Sequence, residues 1–370
     1  METDVFIVGG GPAGLVAAIA ARQKGFNVTV ADCSRPPFDK ACGEGLMPDG
    51  IAALSRLGIT IYPDEAYPFG GIRFIEGKRS AQAPFPHGFG LGIRRTALHR
   101  ILVEHATKAG VSIHWGARVD MLGAGKVAVD GEAVRCRWIV GADGQNSRVR
   151  RWAGLDRCRR ERVRYGCRQH FNVKPWTDSV EVYWGARCQL VITPIGPAEI
   201  CVALLSGNPR MAVEEALDLF PEIQERLKDA PSTTVKKGAV SAMRSLRSVC
   251  RDPFLLVGDA SGSVDAITGE GLCMAFQQAG WLADALETGN LAVYQAAHRR
   301  IARLPTLMSE LLLLMDRHLR LRQGVLRAFA AQPEIFSKFV ATHVGSVPVT
   351  SRREEEPTVD FGSPVPAVRS

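Results

Sequence analysis

The chain has 370 residues, 46% of them hydrophobic, and its 46 Lys and Arg against 38 Asp and Glu give a net charge of +8. This length suits one large domain or two fused lobes, and the mild basic charge suits an anionic cofactor or a lipid surface without requiring nucleic acid. The nine cysteines show no CxxC spacing, so neither a disulfide framework nor a metal site is predicted, and the cytoplasm is the expected compartment. The N-terminal stretch does not read as a signal peptide, and the aliphatic run at 311–315 is too short to span a bilayer.

The first motif, within residues 5–32, reads as strand, tight turn, helix and strand. The apolar residues 5–8 are typical of a buried strand, and the GxGxxG pattern of Gly9, Gly11 and Gly14 follows directly. In such a pattern the first glycine permits the turn, the second lets the backbone approach a pyrophosphate, and the third allows close packing of helix on strand. The pattern predicts dinucleotide binding, and the alternative is a glycine-rich turn in some other α/β fold.

The helix after this turn begins near Pro12 and Ala13, and its N-terminus offers free N–H groups and a positive dipole end to a phosphate. Asp32 follows the second strand, 23 residues beyond Gly9. A carboxylate at this place can accept a hydrogen bond from an adenosine ribose hydroxyl.

The middle of the chain predicts a substrate lobe and a basic face. Residues 179–205 alternate with period two and predict an antiparallel sheet lining an apolar cavity, to which residues 72–86 would add strands. Nine arginines at 147–168 are typical of a solvated positive face, or else of a surface that docks an anionic reductant or a membrane. Residues 298–345 are helical with a basic stripe, and would cap the lobe or touch a membrane.

Two further stretches, 137–154 and 252–286, are apolar strands that end in glycine and aspartate, the second followed by a glycine-rich start of a long helix. These two and the first motif, in this order, resemble the fingerprints of the FAD-dependent superfamily that includes p-hydroxybenzoate hydroxylase and geranylgeranyl reductase. The resemblance covers the chain up to about residue 345. It implies an α/β fold, with a Rossmann-like FAD-binding domain of the GR2 type, an inserted antiparallel β-sheet substrate lobe and a helical C-terminal segment.

The expected FAD-binding domain is discontinuous and comprises residues 1–70, 90–160 and 250–290. Residues 71–89 and 161–249 form the expected substrate-binding lobe, and residues 291–345 the C-terminal helices. The end of the chain, 346–370, is rich in proline, serine and charge and is expected to be disordered.

The resemblance also implies roles for single residues around FAD. Asp143 and Gly144 would lie beside the pyrophosphate, and Asp259 would accept from the ribitol chain. Three residues would pass close to the isoalloxazine ring, namely Gly269, Gly271 and Leu272. Arg95, in an Arg-x-x-Leu pattern at the start of a helix, would lie near the cofactor, and Arg94 could do the same. Without the resemblance, each aspartate reads as an ordinary turn residue after a strand.

The loop KACGEGLMP, which begins at residue 40, resembles a K-x-C-G-x-G-L segment that lies against the flavin in the geranylgeranyl reductase branch. Cys42 and Gly43 would therefore border FAD, and Cys42, Glu44 and Glu270 are the candidate catalytic residues. Other interpretations remain: Cys42 as a packed apolar residue, and Glu270 as an acid that complements a helix dipole. Sequence alone fixes no partner for Glu44.

The predicted function is that of an FAD-dependent oxidoreductase acting on a lipophilic small molecule, with NADPH or NADH as transient reductant. Hydroxylation of an aromatic or polyketide-like substrate is slightly favoured, because the Y-x-W-x-F-P segment of lipid reductases is absent from the sheet, where the chain has only Thr193-Pro194. The alternatives are saturation of C=C bonds in an isoprenoid and a non-catalytic FAD electron-transfer protein. Contact with the inner face of a membrane through a basic surface is a further expectation.

Overall fold

The computed structural model describes residues 1–344, except for the side chains of residues 159–161. The tail expected to be disordered, 346–370, lies outside the described residues. In chain order the strands are β1 (Glu2–Val8), β2 (Val28–Asp32), β3 (Gly45–Leu46), β4 (Tyr67–Phe69), β5 (Gly71–Glu76), β6 (Arg79–Pro84), β7 (Gly90–Gly92), β8 (Ser112–Trp115), β9 (Val119–Gly123), β10 (Lys126–Val129), β11 (Glu132–Gly141), β12 (Cys158–Asn172), β13 (Ser179–Trp184), β14 (Cys188–Gly196), β15 (Glu199–Ser206), β16 (Lys237–Leu246), β17 (Cys250–Arg251) and β18 (Phe254–Leu256). The helices are α1 (Pro12–Gln23), α2 (Pro48–Arg56), α3 (Arg95–Lys108), α4 (Arg148–Trp152), α5 (Val213–Leu217), α6 (Pro221–Leu227), α7 (Gly271–Thr288), α8 (Leu291–Arg317), α9 (Leu319–Ala331) and α10 (Pro333–Val344), with short 3-10 turns at Gly258–Ser261 and Ala266–Thr268.

The first sheet is the Rossmann-like layer that the sequence predicts, so this expectation is confirmed. Its path through the described chain is β17-β18-β11-β1-β2-β8, and β10 and β9 extend it beside β11. Strands β8, β2, β1, β11 and β18 run parallel. Val5, Phe6 and Ile7 in β1 are wholly buried, because packed layers cover both faces of a parallel sheet.

Helix α1 starts directly at the carboxyl end of β1. Gly11 is its N-cap in extended conformation, and Pro12 holds the first helical position, where its missing N–H costs nothing. Gly25, at φ +85°, ends the helix and donates its N–H to the carbonyl of Arg22 over 2.9 Å. The free N–H groups of α1 therefore point out of the sheet edge where β1 and β2 end.

The second sheet has the order β16-β12-β15-β14-β13-β5-β6. All its neighbours are antiparallel except β5 and β13, which are parallel. This pair departs from the purely antiparallel sheet that the sequence predicts. The physical reason is that β5 and β13 are joined by a long excursion through the first sheet, which supplies the crossover that parallel neighbours need.

The two faces of the second sheet pack against different things. Val180 and Val182 in β13 face a cavity between the sheets, whereas Glu181 and Tyr183 face the opposite side. There the short helices α5 and α6 cover the sheet with an apolar cluster. Alternate residues of β13 thus face the cavity and the apolar cluster under α5 and α6.

The loop from residue 40 to 47 is fixed by a small third sheet, β3-β7-β4. Gly45 pairs with Gly92, and a Cβ on Gly92 would lie 1.7 Å from the carbonyl oxygen of Pro194. Only glycine allows this approach, so β14 of the second sheet presses directly on the strand that holds the loop.

Helices α8, α9 and α10 close the far end of the cavity. Their aromatic residues Phe329, Phe336 and Phe339 pack together, and Phe336 meets Phe74 of β5 with ring centroids 5.1 Å apart. Among residues 1–344, no helix combines the length and the apolar character needed to cross a membrane.

Candidate functional site

A cavity of about 880 Å³ lies between the first sheet and the second sheet. One half is glycine-rich and polar, and the other half is apolar. Nearly all the site residues predicted from sequence line it, namely Gly9, Gly11, Pro12, Ala13, Asp32, Cys42, Gly43, Glu44, Arg95, Asp143, Gly144, Asp259, Gly269, Gly271 and Leu272. Gly14 and Glu270 are not among the lining residues.

The glycines of the first motif do three different things. A Cβ on Gly9, at φ +112°, would lie 2.4 Å from the carbonyl oxygen of Ala142, and one on Gly14 would lie 1.9 Å from that of Gly9. A Cβ on Gly11 would meet no protein atom within 4 Å. Gly9 and Gly14 therefore serve the close packing of the chain on itself, and Gly11 presents bare backbone to the cavity at the N-terminus of α1. This arrangement fits a pyrophosphate.

Asp32 is held at the end of β2 in a fixed orientation. Its Oδ2 accepts from the N–H of Gly10 over 2.8 Å, and its Oδ1 accepts from the N–H of Ser34 over 2.8 Å. Each carboxylate oxygen has a further lone pair, which suits acceptance from a ribose hydroxyl at the cavity wall.

The sequence leaves two interpretations of Asp143 open, a residue beside the pyrophosphate and an ordinary turn residue, and the structure is consistent with both. Its Oδ2 accepts from the N–H groups of Arg148 (2.6 Å) and Val149 (3.2 Å), so it caps the first turn of α4. Its Oδ1 is buried and has no protein partner among the described residues. Gly144 follows at φ +76°, and a Cβ there would meet nothing within 4 Å. Open backbone and an unpaired acceptor beside α1 fit the residues to a bound dinucleotide.

Asp259 lies in the 3-10 turn that follows β18, across the cavity from the loop at residue 40. Lys40 of that loop places its Nζ 3.1 Å from Oδ2 of Asp259. Both side chains are partly exposed, so this pair is weak and does not compete strongly with a ligand hydroxyl. The expected ribitol acceptor thus faces the cavity with a lysine beside it.

The N-terminus of α7 faces the same space. Gly269 has φ +70°, and a Cβ on Gly271 would meet no protein atom within 4 Å. Leu272 in the first turn also lines the cavity. The dipole end of α7 is therefore aimed at the region that the resemblance gives to the flavin ring, where it would stabilise negative charge.

The two arginines at the start of α3 have different surroundings. Arg95 lines the cavity and donates its backbone N–H to Oε1 of Glu44 over 2.9 Å. Arg94 instead forms an ion pair with Glu199, and its Nε lies 2.9 Å from Oε2 of that residue. Of the two alternatives left open by the sequence, the structure places only Arg95 in the cavity wall.

Glu44 is the most constrained residue of the loop. It is 3% exposed and adopts a backbone φ of +59°, which residues other than glycine rarely adopt. Its Oε2 lies 2.5 Å from Nε2 of His170, and its Oε1 lies 3.8 Å from a guanidinium nitrogen of Arg168. Cys42 lines the cavity and accepts the N–H of Glu44 at its Sγ over 3.4 Å. These contacts hold the carboxylate at the boundary between the cavity and the second sheet.

His170 and Arg168, both on β12, are the functional residues that sequence reasoning missed. They lie on one face of the strand together with Arg164, and all three are buried. Period-two alternation puts these even-numbered residues on one side of the strand, so three polar residues at alternating positions were the available signal. Arg150 is buried as well, beside Asp156. The prediction of a solvated arginine face is therefore wrong for these arginines, which are buried and paired with carboxylates.

Glu270 lies behind the glycines of the α7 N-terminus, in a buried cluster with Asp49 and Cys273. Burial, and then the nearby Asp49 carboxylate, raise the pKa of Glu270 well above its usual value. Burial likewise raises the pKa of Asp49 to about 6. The structure thus separates Glu270 from Glu44 and Cys42, which border the cavity.

The chain matches the family model described as "FAD binding domain" over residues 2–289. It is 30% identical over 344 residues to the menaquinone reductase of Mycobacterium tuberculosis, and the match covers 84% of this chain and 80% of that protein. The digeranylgeranylglycerophospholipid reductase 2 of Methanopyrus kandleri is 29% identical and covers 74% of each chain. The rifampicin monooxygenase of Rhodococcus hoagii is 34% identical over 158 residues, 40% of this chain and 33% of its own length.

Among solved structures, a flavoprotein/dehydrogenase from Cytophaga hutchinsonii superimposes with a TM-score of 0.80 at 19% identity, covering 93% of each chain. This likeness confirms the fold class. The relatives are named as enzymes, so the alternative of a non-catalytic FAD protein finds no support among them. The chain belongs to the FAD binding domain family, and it is an FAD-dependent oxidoreductase of the reductase or monooxygenase type.

Proposed function

We propose that this protein saturates C=C bonds in the isoprenoid chain of a lipophilic substrate, with NADPH or NADH as the transient reductant. The observation that carries the proposal is the apolar half of the cavity. The wall formed by β5, β13, β14 and β15 has a single polar side chain, Thr193, among the described lining residues. The others are apolar, namely Ile72, Phe74, Val180, Val182, Val191, Ala203, Leu204 and Leu205. A hydrocarbon chain fits such a wall, whereas a polar aromatic molecule would leave hydrogen-bonding groups unpaired.

The relatives support the same choice. Menaquinones and digeranylgeranylglycerophospholipids both carry isoprenoid chains, and the matches to the reductases named for them cover 84% and 74% of this chain. Sequence reasoning slightly favoured hydroxylation of an aromatic or polyketide-like molecule. The rifampicin monooxygenase supports that second candidate, but its match spans only 40% of this chain.

Saturation of a C=C bond breaks the π bond and forms two C–H bonds, one with a hydride and one with a proton. Bound FAD would supply the hydride after its own reduction by NAD(P)H. Gly11, Asp32 and Asp259 would hold FAD, and the apolar wall would keep water from the substrate. Glu44 and Cys42 are acidic groups at the cavity border from which the proton would come.

A peripheral contact with the inner face of a membrane would bring such a substrate to the cavity. On the outer face of α8, Leu307 and Leu314 are two helical turns apart and 60% and 44% exposed. The exposed Arg303 and Arg317 flank them on the same side, and Leu312 of the inner side lines the cavity. Exposed leucines between arginines suit a surface of anionic lipids. Cosedimentation with vesicles should show binding to anionic but not to neutral lipids, and Leu307→Gln with Leu314→Gln should weaken it.

Anaerobic stopped-flow spectroscopy tests the reaction. The reduced protein is mixed, without oxygen, with menaquinone or a geranylgeranyl lipid in detergent, and flavin oxidation is followed by its absorbance. We expect oxidation to depend on the lipid, and fragment masses to show a product heavier by two hydrogen atoms in its isoprenoid chain, since reduction of the quinone ring would also add two. No anaerobic oxidation, together with incorporation of one oxygen atom from ¹⁸O₂ in air, would instead establish the monooxygenase.

A further inference from the structure

We propose that His170 delivers protons from the protein surface at Thr234 to Glu44 at the cavity border. The proposal deepens the proposed function, because reduction of a C=C bond by NAD(P)H consumes one solvent proton in every turnover. Glu44 itself is shielded from solvent, since its side chain is 1% exposed. A buried proton donor of this kind must be reprotonated through a connected group.

A continuous line of hydrogen bonds joins Glu44 to the surface. Oε2 of Glu44 lies 2.5 Å from Nε2 of His170, and Nδ1 of His170 lies 2.9 Å from Oγ1 of Thr234. The His170 side chain is 1% exposed, whereas Thr234 is half-buried and its neighbours Thr233 and Val235 are exposed. The imidazole therefore separates a carboxylate at the cavity from a hydroxyl near solvent, with one ring nitrogen on each side.

The surrounding donors fix the direction of the line. A guanidinium N–H of Arg168 donates toward Nδ1 of His170 at 3.3 Å, so Nδ1 acts as an acceptor and the proton of the neutral ring resides on Nε2. The backbone N–H of His170 donates to Oγ1 of Thr234 over 3.3 Å, so the hydroxyl hydrogen of Thr234 is free to point at Nδ1 of the ring. A proton that arrives at Nδ1 thus releases the proton on Nε2 toward Glu44, and rotation of the ring about its Cβ–Cγ bond restores the Nε2–H form for the next turnover.

The charges around His170 are balanced for this exchange. Glu44 and Arg168 face it directly, and Arg168 also binds Asp39. Glu199, which is paired with Arg94, is the further carboxylate near the ring. A transient positive charge on the imidazole meets the negative charge of Glu44 in a site that excludes water, where the attraction is strong.

If His170 only held Glu44 in place, the hydrogen bond between His170 and Thr234 would not be needed. The N–H of Arg95 and the side chain of Arg168 already hold Oε1 of Glu44, and His170 holds Oε2. The hydroxyl of Thr234 does not touch Glu44, because it binds the far side of the ring. Its removal therefore leaves every direct contact of Glu44 in place. His170 does not line the cavity and acts on the reaction only through Glu44.

The test uses the full-length, flavin-loaded protein and three variants. Thr234→Val keeps the shape of threonine and removes the hydroxyl, Thr234→Ser keeps the hydroxyl, and His170→Gln removes the titrating ring. Thr107→Val, at an exposed hydroxyl of α3, is the matched control. For each protein, kcat and KM are measured against pH in H₂O and D₂O, and flavin reduction by NAD(P)H is measured separately.

We expect Thr234→Val to lower kcat about tenfold, which is less than the 10²–10⁴ that the acid–base group itself supplies, and to raise the solvent isotope effect. KM and the rate of flavin reduction should stay unchanged, Thr234→Ser should restore kcat, and His170→Gln should lower kcat at least as much as Thr234→Val. ¹⁵N NMR of histidine, assigned by comparison with His170→Gln, should show the Nε2–H tautomer in the flavin-free protein as well.

Wild-type kcat and isotope effect in both Thr234→Val and His170→Gln would overturn the proposal. So would a Thr234→Ser variant as slow as Thr234→Val, or an Nδ1–H tautomer. The product of the wild-type reaction is scored apart from these results. If it gains oxygen rather than two hydrogens, the proposed function fails, while the Thr234 comparison still decides whether His170 carries protons.

Discussion

Oε1 of Glu270 lies 3.6 Å from Nε2 of His343, and neither this oxygen nor Nδ1 of His343 has a hydrogen-bond partner among the described residues. Both side chains are buried, and burial lowers the pKa of His343 while it raises that of Glu270. Burial therefore favours the neutral form of each group. Asp49 and Cys273 are further titratable groups of this region, and the Asp49 carboxylate accepts from Gln277 over 2.7 Å.

Asp49 should make the stability of the protein depend on pH. Burial raises its pKa from 3.8 to about 6 in the folded chain. Below pH 4 the carboxyl is protonated in both states, and as pH rises from 4 to 6 only the unfolded chain loses the proton, so stability falls over this window. Asp49→Asn should therefore gain up to about 3 kcal/mol relative to wild type between pH 4 and pH 8. Urea unfolding with saturating FAD measures this. Asp64→Asn, at an exposed acid, is the control, and parallel pH profiles of Asp49→Asn and wild type would contradict the expectation.

Gly11 and Gly14 should respond in opposite ways to the same substitution. A valine at Gly11 projects into open cavity space, so the flavin-free protein should fold with stability within about 0.5 kcal/mol of wild type. FAD affinity should fall by about 100-fold or more, ~2.7 kcal/mol, because the side chain occupies the pyrophosphate position. A valine at Gly14 meets the carbonyl of Gly9 and should prevent folding. FAD titration and thermal melting distinguish the two, and full flavin occupancy in Gly11→Val would contradict the phosphate site.

The sequence could place the residues of the first motif relative to one another because that motif is local. Gly9, Gly11, Gly14 and Asp32 lie within one strand-helix-strand unit, so spacing alone defines their geometry. The partner of Glu44 could not be found in this way. His170 lies 126 residues further on, and only the pairing of β12 within the second sheet brings it to the loop.

Burial of charge was likewise invisible in the sequence. Arg164 and Arg168 belong to the same run as exposed arginines, and their partners Asp265 and Asp39 come from distant parts of the chain. Residue type cannot separate a surface arginine from an internal one, because the distinction depends on which carboxylate the fold brings near.

Arg164 provides a test of this distinction. Its NH1 lies 3.0 Å from Oδ1 of Asp265, and both side chains are buried. Arg164→Met should cost about 3–5 kcal/mol of unfolding free energy, because it leaves the Asp265 charge buried without a counter-charge. Arg157→Met, at an exposed arginine of the same run, should change stability by no more than about 0.5 kcal/mol. Equal losses in urea denaturation of the two variants would refute the internal ion pair.

Glu44 should matter for turnover rather than for flavin binding. Glu44→Gln keeps the shape of the side chain and removes the titrating group, so turnover should fall by about 10²–10⁴ if the carboxyl transfers a proton. Reduction of the flavin by NAD(P)H should remain. Cys42→Ala is the companion variant and should be nearly silent if the thiol only packs beside the loop. Single-turnover kinetics on flavin-loaded protein provides the comparison, and a loss of less than about tenfold in Glu44→Gln would leave the residue a positioning role only.

Substitutions of the two glycines that flank Glu44 should have different effects, one on the flavin and the other on the substrate. A Cβ on Gly43 meets no protein atom within 4 Å, and Gly43 lines the cavity, so Gly43→Val should disturb the bound ring, shift the flavin spectrum and weaken FAD binding. A Cβ on Gly45 would lie 3.6 Å from Phe69 and 3.8 Å from both Thr193 and Val180, which belong to the apolar wall. Gly45→Val should therefore keep its flavin spectrum and raise KM for the lipid about tenfold, ~1.4 kcal/mol. Absorbance spectra and steady-state kinetics of the two variants measure this separation. Wild-type spectra and rates in both would show that the loop is remote from the flavin and from the substrate.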